Sequence, residues 1–373
     1  MGMSMINPNL AAFAVSVNAT IAAAGLITGL NYAVSLCLRP LNGLICDLFY
    51  KPKLLIVSCV IFVMSAFGLS LSTTPEMVAT FRIIQGCAFV IKSSIVVSLA
   101  SQVVSTGKIG QAVGTIGMGF TVACALGPPL GNYLGINFGY RVSFLLSAVF
   151  FVCALLLTMT LKNVIPDKRT DPGLVLLKGA LSHLRLGEFF YLPAVPVAVA
   201  VFFCFASQSM MLNLIILMAE IEGVSGAPLY FVVYALCAIV SKPLSGRALD
   251  SVGLLRVILP MGVLMAIGML ILAADFCTTN IVVAGVLMGI GQGSVYSCLQ
   301  AQAITGVSLE DSGKAANMFY LGTDLMQFIG PFMFAILFER LGITVCFYVA
   351  AITPVIGIGL YIVLAKAIAN REV

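Results

Sequence analysis

The sequence predicts an all-α polytopic membrane protein built from two related helical bundles, and three observations predict it. Hydrophobic residues make up 61% of the chain and charged residues only 9%, against roughly 25% charged in a soluble domain. Lipid must therefore solvate much of the apolar surface. The polar interruptions leave eleven apolar runs, at 19–46, 54–72, 77–103, 108–135, 141–161, 189–218, 227–249, 254–274, 279–303, 313–338 and 343–366. A crossing helix needs about 20 such residues. Finally, the chain repeats itself at an offset of 203 residues. Arg39-Pro40-Leu41-Asn42-Gly43, reaching Asp47, returns as Lys242-Pro243-Leu244-Ser245-Gly246, reaching Asp250. Gly86 returns as Gly289, and Gly127-Pro128 as Gly330-Pro331.

Taken in order, the first five runs form an N-terminal bundle within residues 1–161. Residues 162–188 carry Lys162, Asp167, Lys168, Arg169, Asp171, Lys178, His183, Arg185 and Glu188 and read as a linker. The last six runs form a C-terminal bundle within 189–373. Duplicated halves of this kind are a common plan of secondary transporters. The repeat also exposes an asymmetry. The counterpart of 189–218 falls mostly before Met1, and residues 3–18 are too short and too interrupted by Asn7-Pro8 to span. The first half is expected to lack its first helix, with an upstream start and a genuine truncation both open. Alternate connections hold Lys51 and Lys53, Lys108, the linker, Arg247 and Arg256, Lys314, then Lys366 and Arg371, whereas the opposite set is mostly acidic. Basic loops stay inside, so the linker and C-terminus are expected in the cytoplasm.

Composition excludes several functions. The eleven cysteines are scattered, nearly all within apolar runs, and none forms a CxxC pair; they read as small apolar fillers rather than a disulfide frame or zinc site. His183 stands alone in a basic loop. There is no GxxxxGK[ST] loop, and Gly289, Gly291 and Gly293 lie inside a spanning run rather than after a soluble strand. No metal, cofactor, nucleic acid or enzymatic activity is expected.

Ionisable groups within a membrane are costly and mark function by default. Arg82, Lys92 and Asp324 stand out. Arg82 lies near the outer end of its run, and ten further residues turn a helix by about 1000°, so Arg82 and Lys92 are expected on adjoining sides of one cavity. Lys92 suits an anionic group, an acidic partner or snorkelling toward the cytoplasm. Asp324 is the carboxylate nearest the middle of a span, and burial favours its protonated form, so it is the candidate proton carrier. Its alternative is a static pair with Lys92 or Arg82. At the cytoplasmic end, Arg39, Gly43, Asp47 and Lys51, with Gly246 and Asp250 in the second copy, read as a two-state gate in which Gly43 permits close approach and Asp47 latches to the lysines. Gly127, Gly131 and Gly135 repeat every four residues as a packing stripe, and Pro128 is expected to bend that helix.

These segments together resemble the major facilitator superfamily across the whole chain. The Arg39–Lys53 segment resembles that family's cytoplasmic loop motif, Arg82-Ile83-Ile84-Gln85-Gly86 its fourth-helix motif, and Gly127-Pro128-Pro129-Leu130-Gly131 the fifth-helix motif found mostly in proton-exchanging exporters. Phe49-Tyr50-Lys51 replaces an Arg-rich run, and Gly131-Asn132 replaces a Gly-Gly ending. The resemblance implies two bundles about a central cavity, a proton-transfer role for Arg82 and a leak-sealing role for Gly127, Pro128 and Gly131. It makes 77–103, 189–218 and 279–303 the cavity walls, so that Gln85, Lys92, Gln208, Asn213 and Gln292 become candidate substrate contacts. It further implies a monomer in a bilayer, the plasma membrane and by family habit a bacterial inner membrane. The expected function is proton-coupled efflux of a small organic molecule. A nutrient symporter or facilitator, and a non-transporting remnant or receptor, stay open.

Overall fold

The structure, a computed structural model, describes residues 1–103, 109–161, 191–305, 307 and 312–369; side chains at 40–48, 94, 97–103, 109–118, 161, 312, 313 and 369 also lie outside the description. The linker 162–188 and Arg371 fall outside it. Twelve α-helices are seen among the described residues: α1 Gly2–Ser16, α2 Ile21–Leu48, α3 Lys51–Leu71, α4 Pro75–Val103, α5 Ile109–Phe138, α6 Tyr140–Leu161, α7 Val195–Ile221, α8 Ala227–Val252, α9 Leu254–Ala274, α10 Thr278–Ile304, α11 Ser312–Leu341 and α12 Ile343–Ala369. Nine of them are long and apolar enough to cross a bilayer.

The repeat recurs in the helix boundaries. Shifted by 203 residues, Lys51–Leu71 coincides with Leu254–Ala274, and Ile109–Phe138 with Ser312–Leu341. The tight turn between α5 and α6 passes through Gly139 at φ +87°, and its shifted counterpart Gly342, between α11 and α12, has φ +83°. That left-handed backbone is open to glycine at little cost. Each half packs alike. In the first, α4 lies against α2 and α3, and α3 against α6; in the second, α10 lies against α8 and α9, and α9 against α12. The halves meet along α2–α11 and along α5–α8, which the repeat exchanges, and α1 meets α7.

Residues 3–18 require a correction. The Asn7-Pro8 step does not break the helix: Pro8 lies in its second turn and removes the donor that would bond Ser4 O, and packing against four neighbouring helices holds the segment helical. Gly2–Ser16 is one helix, packed against α5, α6, α7 and α2, and Met5, Ile6, Leu10, Ala11 and Phe13 are buried. At about 1.5 Å per residue it reaches roughly 22 Å, short of a 30 Å hydrocarbon core. Shifted by 203 residues it corresponds to 205–219, the second part of α7. The first half thus holds the outer part of a first helix. "Outer" here follows the orientation read from the basic residues.

Outer halves of the helices seal together through glycine. Gly25 faces Pro331 O and Ala335 Cβ, and Gly29 one turn on faces Phe328 O, so α2 and α11 are in backbone contact. The α5 stripe behaves as the spacing predicts. Gly127 receives Ser4 of α1, Gly131 receives Asn9 and Met5, and Gly135 receives the Tyr140 ring. Above these contacts, the Tyr140 hydroxyl donates to Glu220 Oε1, and Ala22 N donates to Glu339 Oε2 at 3.2 Å.

Candidate functional site

Between the halves lies a cavity of about 360 Å³. Helices α2, α4, α7, α10 and α11 line it: Tyr32 and Arg39, then Phe89 and Ser93, then Phe205, Tyr296, and finally Asn317, Tyr320, Thr323, Asp324 and Gln327. The three walls expected from sequence are present, and α2 and α11 join them. Its rings interlock: Tyr32 meets Phe89 edge-on at 5.6 Å between centroids, and Phe205 meets Tyr296 at 5.8 Å. Aromatic walls with convergent polar groups are the ordinary chemistry of a small-molecule site, and here Arg39, Ser93, Asn317, Thr323, Asp324 and Gln327 supply the polar part.

At the cavity wall, Asp324 of α11 accepts three hydrogen bonds, all on Oδ2. Arg39 of α2 donates from Nε at 2.9 Å and from Nη2, and Ser35 Oγ donates at 2.9 Å. The guanidinium also lies 5.1 Å from the Tyr320 ring centroid. Asp324 Oδ1 takes no hydrogen bond among the described residues. This charged pair joins the two halves. It corrects one expectation: Asp324 pairs with neither Lys92 nor Arg82 but with Arg39, which also lines the cavity. Depth and face explain it. Arg39 and Asp324 lie about 27 and 26 Å from the outer ends of α2 and α11, whereas Arg82 is only about 10 Å inside α4. Lys92 has the right depth but turns toward α3, its Nζ 5.8 Å over the Phe62 ring.

Arg82 is fully buried and knits the first half together. Nη1 donates to Asn7 Oδ1 at 3.0 Å and to Gln85 Oε1 at 2.5 Å, and Nη2 donates to Thr28 O at 2.8 Å. Gly86, beside it, lets α4 touch the backbone of Asn31 in α2. All its acceptors are neutral. Arg82 and Lys92 therefore do not line the described cavity, contrary to the expectation from their 1000° separation.

The remaining candidates distribute as follows. Gln85, Gln208, Asn213 and Gln292 are buried and do not line the cavity; the first three bond within their own bundles, as amides between apolar helices do, whereas Gln292 Oε1 has no hydrogen-bond partner among the described residues. Asn213 donates to Ser209 O at 2.8 Å and to Gln327 Oε1 at 3.1 Å, and so steadies a cavity residue; Gln208 accepts from Tyr230 at 3.4 Å. In the gate segments, the side chains of Gly43 and Asp47 lie outside the described residues. Lys51 opens α3 and has a partner. In the second copy Asp250 is exposed and makes no ion pair among the described residues, and a Cβ at Gly246 would meet nothing within 4 Å, so close packing does not explain that glycine. Tyr32, Phe89, Ser93, Phe205, Tyr296, Tyr320 and Thr323 were not legible as site residues; in helices apolar on all sides, no periodicity separates a cavity face from a packed one.

The family model for the Major Facilitator Superfamily matches residues 1–241 and 197–371. Among solved structures, the chain is similar to a POT family transporter in complex with a thioalcohol-conjugated peptide, at 14% identity over 98% of this chain and 93% of that one, with a TM-score of 0.78. A POT family transporter in complex with 5-aminolevulinic acid is similar at 14% identity, 98% and 93% coverage and a TM-score of 0.77. So is a bacterial homologue of the human lysosomal transporter Spinster, in an inward-facing and unoccupied conformation, at 15% identity, 98% and 93% coverage and a TM-score of 0.77. At these identities the likeness concerns the fold.

Proposed function

The chain belongs to the Major Facilitator Superfamily, and from that premise we propose that it exports a small organic molecule across the plasma membrane in exchange for protons. The observation that carries this reading is the Arg39–Asp324 pair, a carboxylate on the cavity wall bonded from one half to the other. A proton that loads Asp324 cancels the charge that holds Arg39. The contact between α2 and α11 then loses its strongest bond, and the halves are free to rock about the cavity. Arg82 holds α4 against α1 and α2, and Gly127 and Gly131, with Pro128 beside them, keep α5 pressed on α1 against leak of protons and substrate. In this reading the protein acts as a monomer with its C-terminus in the cytoplasm.

The test is efflux from liposomes loaded with a panel of small organic compounds, driven by an acidic exterior. Expected is gradient-driven efflux that Asp324→Asn abolishes while leaving substrate exchange at equilibrium intact. Accumulation in the direction of the proton flow, or efflux unchanged in Asp324→Asn, overturns it.

A further inference from the structure

The cavity between the halves has already spent its charges. Arg39 and Asp324 are the charged residues among its described lining, one of each sign, and they bond each other. Lys92, at a similar depth, turns away toward α3. All three bonds to the carboxylate fall on Oδ2. Asp324 Oδ1 and Arg39 Nη1 make no hydrogen bond among the described residues, and neither is among the sealed polar atoms that lack a partner, so both stay open to the cavity. The other polar groups of the wall are neutral. Gln327 accepts from Asn213 on Oε1 at 3.1 Å, which leaves its NH₂ to donate. The Tyr32 and Tyr296 hydroxyls and the Asn317 amide have no hydrogen bond among the described residues. The rest of the wall is mostly ring, from Tyr32, Phe89, Phe205, Tyr296 and Tyr320.

Each sign of substrate charge fails on this wall for its own reason. An ammonium would approach a carboxylate that Arg39 has neutralised, and would face the guanidinium as well. A substrate carboxylate would face Asp324. Either would enter a low-dielectric space with no opposite charge left to pair with, where unpaired charge is disfavoured. An uncharged molecule meets no such cost, and the open carboxylate oxygen rewards a donor with a charge-assisted bond. We propose that the transported molecule is an uncharged aromatic compound that lies between the rings and donates an N–H or O–H to Asp324 Oδ1. The volume of about 360 Å³, near the lower end for small-molecule sites, suits a compact body. The assignment rests on the transporter reading above and names the substrate class of that same cavity.

The test is equilibrium dialysis at neutral pH with the full chain in lipid nanodiscs and empty nanodiscs as the blank. Four probes share one aromatic body substituted at the same position: naphthylmethanol, its methyl ether, naphthylmethylammonium and naphthoate. The alcohol should bind at least about tenfold more tightly than the cation or the anion. The ether, which cannot donate, should bind about tenfold more weakly than the alcohol. These rankings come from the unaltered protein and need no variant to fold. In Arg39→Leu with Asp324→Leu the gap between alcohol and ether should close. Tightest binding of the ammonium or the carboxylate overturns the uncharged class. An ether that matches the alcohol in the unaltered protein, or a gap that survives in the double variant, overturns the bond to Asp324. Binding of none of the four above the blank overturns the inference as a whole. Binding needs no gradient, so the expected ranking in protein that fails gradient-driven efflux overturns the proton-coupled reading alone. Gradient-driven efflux confined to charged compounds overturns this inference alone.

Discussion

The two interfaces between the halves descend from one duplicated pair of helices, yet they differ in charge. Along α2–α11, Arg39 meets Asp324 and the glycines Gly25 and Gly29 bring backbones into contact. Along α5–α8, Lys242 has no acidic partner among the described residues, and a threonine stands where the repeat places the aspartate. In the proposed mechanism the two sides have different tasks, because only the α2–α11 side carries a cation–carboxylate pair that a proton can unlock. The difference also shows why a duplicated fold does not dictate a symmetric mechanism.

The comparison breaks most severely at the lock. Arg39→Ala leaves the Asp324 carboxylate buried without its counter-charge, a loss of about 3–5 kcal/mol, which a thermal unfolding scan in detergent should record as a large drop. Replacing both partners, Arg39→Leu with Asp324→Leu, should recover most of that stability but none of the gradient-driven transport. If the single and double variants unfold alike, the pair is not a coupled lock. Next in size is Thr121→Asp, which restores to α5–α8 the carboxylate that the repeat lacks. It should give Lys242 a partner and raise the unfolding midpoint; an unaltered midpoint would show that the two positions do not meet as Arg39 and Asp324 do.

Smaller effects test packing. Gly29→Ala pushes a methyl into Phe328 O and should cost about 1–3 kcal/mol by overpacking, whereas Gly246→Ala meets open space and should gain about 0.5–1 kcal/mol through helix propensity. Unfolding midpoints of the two variants on opposite sides of the parent verify this. Smallest is Tyr140→Phe, which deletes the bond to Glu220 and should cost about 0.5–1.5 kcal/mol.

Much of the fold was legible in the sequence, because apolar run length and the 203-residue offset report the same physical constraint, a bilayer crossed twice over by one unit. The run 254–274 coincides with α9, and 227–249 begins where α8 does. The run 189–218 starts six residues before α7, since Pro193 and Pro196 mark a 3₁₀ turn at Leu192–Ala194 that precedes the helix proper. Residues 3–18 misled because Asn-Pro is a strong local breaker, and the packing of α1 against α2, α5, α6 and α7 that overrides it is not written in the segment itself. The site was less legible. Asp324 was visible as an isolated carboxylate, but its partner required a depth comparison between helices, and the amides Gln85, Gln208 and Asn213 turned inward to bond within their bundles. The Gly25–Gly29 spacing went unread, and its contact with α11 comes from the structure alone.

The central claim is that a proton on Asp324 loosens α2 from α11. The direct measurement is the distance between spin labels at the exposed positions Thr20 and Leu341, at the outer ends of those helices, recorded across pH. The account predicts that acidification lengthens the distance in the parent and that Asp324→Asn shows the long distance at every pH. A distance that ignores pH, or an Asp324→Asn variant that follows the parent's pH profile, would contradict it.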